Sequence, residues 1–297
     1  YEIASCLVGS EMCIRDSDTL CRVFGMLSPE ILQQLYGKWQ ELLNQNEGEV
    51  LRKLICIDGK TMRSNKRKEG KPNHIITAWS KEDGFSLGQK VVNTKSNEIT
   101  AIPELLEKIR IKGQVVTIDA MGTQTAIAEK IRLKRGDYVL ALKENQRTLH
   151  EDVSLYLNDA EIKEELRKKG KYKKTIEKAH SQLEIREYYQ TKEIGWLSQK
   201  KDWKGLKSIG MEEKTIRKDG QEKKEIRYYI SSLNEDIELF SRAVRGHWSV
   251  ESMHWQLDVT FKEDANRTLD KQAAENLNII RTVSYTHLRA HETRGNL

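Results

Sequence analysis

The sequence predicts an α/β fold, a mixed sheet with flanking helices that is interrupted by a β-rich insertion. Three observations predict it. Short apolar runs end in polar residues at Asp58, Asp119 and Lys143-Glu144-Asn145, as interior strands do. Helical periodicity falls between them, at Ile99–Ile111 and Thr123–Leu133, so strand and helix alternate. After Gln146 the pattern changes to charged, strand-like runs, and helix returns from Asp236.

The elements follow in order. Residues 1–17 and 283–297 have no periodicity that continues into their neighbours, and both resemble peptides translated from sequencing-adapter DNA. They are expected to be non-native. With no Met at its start, the chain is expected to be the inside of a longer protein. Residues 18–50 carry apolar side chains at helical spacing, and Ser28-Pro29-Glu30 marks a helix start with Ser28 as cap. In Leu51–Ser64 the run Leu54-Ile55-Cys56-Ile57 predicts a buried strand that ends in Asp58-Gly59. His74–Ser80 and Phe85–Thr94 predict a hairpin about Glu82-Asp83-Gly84. Gln114–Asp119 and Asp137–Leu142 predict two more buried strands, and 51–145 makes the first part of the core.

Residues 146–235 predict the β-rich insertion. Thr148–Leu157 has a helical pattern, and Glu161–Lys178 is charged enough for a solvated helix or a linker. Strands are expected at Gln182–Thr191, Trp203–Ile209 and Glu225–Ser231, with a turn at Lys218-Asp219-Gly220. Residues 236–282 return to helix and complete the core.

Composition limits the function. The chain has 297 residues, enough for one large domain or two small ones. Its 51 basic residues against 45 acidic leave +6, which leans towards a polyanionic partner. No apolar run reaches the roughly 18 residues of a membrane span. Cys6, Cys13, Cys21 and Cys56 lack metal spacing, so a reducing compartment such as the cytoplasm is expected.

The chemistry-bearing residues are carboxylates. If the strands ending at Asp58 and Asp119 lie side by side, both carboxylates project at one edge, where they repel unless a cation separates them. Magnesium suits such all-oxygen ligands, and a pair of ions about 4 Å apart can hold the attacking and leaving oxygens of a phosphodiester. A third carboxylate is needed, and Glu251 is the candidate. On the helix around it His247, Glu251, His254 and Asp258 share one face, while Trp248 and Trp255 are expected to be buried core anchors. An Asp-Gly turn and an amphipathic surface helix are the bland readings of the same residues. A zinc site on the two His has the wrong spacing for a metalloprotease.

Four runs together carry a resemblance. Ile57-Asp58-Gly59-Lys60, Thr117-Ile118-Asp119-Ala120 followed by Gln124, Tyr138–Gln146 and the His247–Asp264 helix run resemble an insertion-sequence transposase of the DDE type, in the H-repeat-associated branch. The likeness covers roughly Asp18–Arg281. It implies a ribonuclease-H-like fold, with Asp58, Asp119 and Glu251 as catalytic, metal-binding triad. It implies magnesium, with manganese able to substitute, and DNA as partner: transposon ends and target, bound as a homodimer. The implied activity is metal-dependent strand cleavage and strand transfer. A nuclease without strand transfer and a catalytically dead DNA-binding remnant remain alternatives. One departure is plain. Relatives often carry a Tyr, an Arg and a Lys spaced about the catalytic Glu, where this chain has Val244, His247 and Asp258. Arg245, Lys262 or another residue must then supply the phosphate contact, and Glu263 and Asp264 compete with Glu251 for the third-ligand role. Lys60, Arg63, Lys143 and Arg245 are the expected DNA contacts.

Overall fold

The computed structural model describes residues 19, 21–43, 52–62, 74–92, 98–179, 182–265, 268 and 270–294. Arg63 and residues 1–17 lie outside the described residues.

Helix α1 spans Pro29–Leu43. Pro29 is its first residue, and Ser28 Oγ accepts from the Ile31 N–H at 3.4 Å, as the capping signal predicts. Strands β1 (Leu54–Thr61), β2 (His74–Ser80) and β3 (Phe85–Val92) form an antiparallel meander. The β2–β3 turn has Gly84 at φ +69°, in the left-handed region where Gly costs nothing. Helix α2 (Glu98–Lys108), strand β4 (Val115–Ile118), helix α3 (Thr125–Leu133) and strand β5 (Asp137–Leu142) follow. β1, β4 and β5 are mutually parallel, so two crossovers carry helices onto one face of the sheet.

The insertion opens with helices α4 (Arg147–Asn158) and α5 (Ala160–Lys168). Asp159 caps α5, accepting from the N–H groups of Glu161 and Ile162. Four antiparallel strands come next: β6 (Tyr172–Ala179), β7 (Gln182–Thr191), β8 (Ser208–Lys218) and β9 (Gln221–Ser231). Glu161–Lys178 is therefore part helix and part strand, not a linker. The strand expected at Trp203–Ile209 begins only at Ser208, because Ser198–Asp202 makes a tight 3-10 turn and Trp203 anchors the loop in the core. The predicted β8–β9 turn is present, with Asp219 and Gly220 both at positive φ.

The insertion's strands do not form a sheet of their own. β9 pairs with β5, giving one nine-stranded sheet in the order β3-β2-β1-β4-β5-β9-β8-β7-β6. The core is thus a mixed sheet with flanking helices, and the insertion extends its open side. Helices α6 (Ile237–Val259) and α7 (Lys271–Arg294) complete the chain. α7 runs through residue 283, where loss of periodicity suggested a boundary. Thr286 is buried there, and the Tyr285 ring lies 5.8 Å from that of Trp79.

The sheet separates two cores. Ile55, Ile57, Val116, Ile118 and Leu140 face α2–α5 on one side. Leu54, Cys56, Val115, Val139 and Tyr229 face α6 on the other. Alternation along each strand places Asp58, with Leu54 and Cys56, on the α6 side, and Asp119 follows Val115 and Thr117 there. Gly246 lets α6 lie close on β1, since a Cβ at that position would come within 2.6 Å of the Leu54 Cδ1.

Candidate active site

The site forms where parallel strands β1 and β4 end. Ile57 is paired with Ile118, and the next residue of each strand is an Asp. Asp58, Asp119 and Glu251 line one pocket of about 160 Å³, together with Lys143, Arg227 and His247. Sequence reasoning named the first four of these six as candidates. Thr117, Val139, Tyr229 and Trp248 also contribute to its walls.

Each carboxylate is held differently. His254 Nδ1 stands 3.3 Å from Asp58 Oδ2. Burial alone would raise the Asp58 carboxyl, but the hydrogen bond and charge of His254, aided by His247 and the Gly59 N–H, hold it below its ordinary value. Asp119 Oδ1 accepts from the N–H groups of Met121 and Gly122, at 3.1 and 3.3 Å. The loop after it is tied down by Thr123 Oγ1, which donates to the carbonyl of Ala141. Asn145 Nδ2 donates to Ala120 O at 2.5 Å, and Gln146 Nε2 to Thr123 O at 3.0 Å. The Lys143–Gln146 turn thus fixes the loop that carries Asp119.

Glu251 is raised above the ordinary carboxylate range, first by burial and then by the charge of Asp58, with a smaller push from Asp119. Both strand-end carboxylates therefore act on Glu251 across the pocket. Burial pushes the His247 imidazole below its ordinary range, with Asp58 and Asp119 opposing, and His247 Nδ1 shares a 2.9 Å hydrogen bond with Thr117 Oγ1. Among the described residues, no three His, Cys, Asp or Glu side chains are grouped tightly enough to hold a metal ion as they stand.

The other expected contacts lie elsewhere. Lys60 is only 11% exposed, with its Nζ on Asp258 and, at 2.5 Å, on Glu263 Oε2. Glu263 is fully buried and also accepts from Asn278, so it serves Lys60 and not the pocket. Asp264 Oδ1 is 4.0 Å from the same ammonium. The space beside Gly59 is filled on one side by a buried pair, His74 Nε2 and Glu98 Oε1 at 2.5 Å. Arg245 borders a separate groove of about 630 Å³ with Arg52, Lys81, Lys173 and Arg242, and pairs with Glu177 Oε2 at 3.2 Å.

Trp255 corrects an expectation. Trp255 is 59% exposed and anchors no core. Trp248 is only partly buried, with Arg227 Cζ 4.6 Å and Lys214 Nζ 5.5 Å from its ring centroid. Arg227 is the pocket residue that sequence reasoning missed. The available signal was parity: Tyr229 opposes Ala141 in the ladder and faces α6, so the residue two positions earlier points the same way.

Comparison with known proteins agrees with this architecture. A family model described as "Transposase DDE domain" matches residues 50–286, and the chain belongs to that family. "Putative transposase YncI" of Escherichia coli O157:H7 is 37% identical over 92% of this chain and 70% of its own length. "H repeat-associated putative transposase YhhI" of Escherichia coli K12 is 35% identical over 90% of this chain and 71% of its own. A protein of Xanthobacter autotrophicus, named only for its position in the dhlA 3′ region, is 40% identical over 75% of this chain and 74% of its own. No helix among the described residues is long and apolar enough to cross a membrane.

Proposed function

We propose that the chain is a transposase that cuts DNA strands at the ends of an insertion sequence and joins them to target DNA, with Asp58, Asp119 and Glu251 as catalytic carboxylates. The observation that carries this reading is the convergence of three carboxylates from β1, β4 and α6 on one pocket, in a member of the DDE family. The donor set fits a hard divalent cation, because it is all oxygen and its members repel one another. Asp58, Asp119 and Glu251 would hold magnesium, or manganese in its place, which when bound lowers the pKa of water and offsets charge on the leaving oxygen.

The chain's own groups supply position. His254 orients Asp58, the Met121 and Gly122 N–H groups orient Asp119, and the turn at Asn145-Gln146 keeps that loop in place. Lys143, exposed at the pocket, is a contact for the DNA phosphate. The reaction is in-line displacement at a phosphodiester, first by water and then by a DNA 3′-hydroxyl. Its barrier is lowered mainly by alignment and by charge. Two element ends require two such sites, so the active form on DNA is a homodimer in the bacterial cytoplasm.

The test is magnesium-dependent nicking of supercoiled plasmid by wild type and by Asp119→Ala, with joining of a labelled 3′-hydroxyl oligonucleotide to plasmid as a second readout. Nicking and joining, both lost in the variant, are expected. Nicking without joining reduces the reading to a nuclease. Equal nicking by wild type and variant removes the carboxylates from the chemistry, and absence of nicking in both points to a remnant that only binds DNA.

A further inference from the structure

The insertion contributes more than strands to the sheet. Among the described residues of the insertion, Arg227 and Tyr229, both on β9, line the carboxylate pocket. Arg227 is 30% exposed, so its guanidinium reaches the pocket without being sealed in it. Two features fix its direction. Glu225 Oε1 accepts from Nε and Nη2 at 2.8 Å, and the cation lies over the Trp248 ring at 4.6 Å. Trp248 is on α6, three residues before Glu251, so helix and insertion hold the guanidinium together beside the third carboxylate. The guanidinium fork has more donors than Glu225 uses.

Arg227 also meets a need. The face of α6 that carries Glu251 holds His247, His254 and Asp258, and no Arg or Lys. His247 Nδ1 is engaged by Thr117 Oγ1, and Asp258 is committed to Lys60. Arg245 faces a different groove. Three carboxylates and two cations, Arg227 and Lys143, remain around the pocket, and a DNA phosphate approaching three carboxylates needs a planar donor pair to seat it.

We propose that Arg227 is a phosphate-binding residue of the active site, donating its guanidinium to the backbone of the DNA strand lying over the carboxylate pocket. This rests on the reading of the pocket as a DNA-cleaving site. Because the contact is to phosphate, it carries no sequence information and adds to affinity through release of bound counterions. The insertion therefore completes the active site, and Trp248 serves as the platform for a cation, not for a base.

The experiment is fluorescence anisotropy of a short fluorescein-labelled duplex titrated with the full chain at several salt concentrations. It compares wild type, Arg227→Gln, Arg227→Lys and Lys218→Gln, the last at the far tip of the β8–β9 hairpin. Melting curves of all four check folding. Arg227→Gln is expected to lower the slope of log affinity against log salt by about one and to reduce plasmid nicking at least tenfold. Arg227→Lys should keep the slope but lose nicking, since a point charge replaces a planar fork. Lys218→Gln should match wild type in both. A slope for Arg227→Gln equal to that of wild type, with an unaltered melting curve, overturns the assignment. Binding is read apart from cleavage, so wild-type protein that binds but does not nick would sink the catalytic reading while the slope still decides Arg227.

Discussion

Lys60 gives the sharpest quantitative test, because sequence places it among the DNA contacts and the fold gives it another task. Its ammonium meets Asp258, Glu263 and Asp264, and Glu263 is fully buried. Among the described residues, Lys60→Met would leave Glu263 with Asn278 as hydrogen-bond donor and Arg281 as the nearby cation, in a buried setting. Asp258 and Asp264, at 29% and 30% exposure, can recover hydration, so the cost falls on Glu263. Removing one partner of a buried pair costs about 3–5 kcal/mol. At about 2 °C per kcal/mol for a chain this long, the melting temperature should fall by roughly 6–10 °C. Scanning calorimetry measures the fall, and Lys60→Met combined with Glu263→Gln should recover part of it, because the buried carboxylate charge is then gone while Arg281 loses its attraction. The salt slope of DNA binding should not change. An unchanged melting temperature together with a slope reduced by about one would refute this reasoning and return Lys60 to the phosphate backbone.

Two further predictions concern stability. Burial, with Glu30 nearby, pushes the Glu275 carboxyl from 4.5 up to about 7. In that interval the folded protein binds a proton that the unfolded chain releases, so stability falls as pH rises through it. Glu275→Gln should flatten that fall and stabilise the protein at alkaline pH by on the order of 1–3 kcal/mol; parallel stability curves against pH for variant and wild type would count against it. Trp79→Ala, at a fully buried site, should cost about 3–5 kcal/mol in urea unfolding, while Trp255→Ala should stay within about 0.5 kcal/mol. A large loss at Trp255 would mean that its exposed ring is covered in solution.

Much of the site was legible because its logic is local. Two apolar runs ending in Asp, and one helix with His247, Glu251, His254 and Asp258 at one angle, are patterns of period two and 3.6 that survive without tertiary information. Trp255 was misjudged by residue type, although the helix itself shows its direction. At about 100° per residue it lies some 160° from buried Leu257, far outside the face that meets the sheet. The union of β9 with β5 was hidden for a different reason. Strand pairing at long sequence separation leaves no periodic trace, and the charged Glu222–Glu225 stretch reads as a solvated edge although Tyr228–Ser231 is buried. Lys60 shows a third limit, since a cation beside an Asp-Gly turn looks the same whether its partner is a phosphate or a carboxylate two hundred residues away.

The β5–β9 seam also sets an order of events during synthesis. Ser231 Oγ donates to Tyr138 O across 93 residues, and every residue between must be made before that bond can close. β1, β4 and β5 are contiguous enough to pair early, bringing Asp58 and Asp119 together while Glu251 is still unmade. Closing so long a loop costs entropy and slows folding. A nascent chain thus carries two repelling carboxylates at an open sheet edge until β9 docks, and only then can α6 cover that face. Until ribosomes have passed Glu251, the growing polypeptide lacks the third carboxylate of the pocket, so the site described above is assembled only late in synthesis.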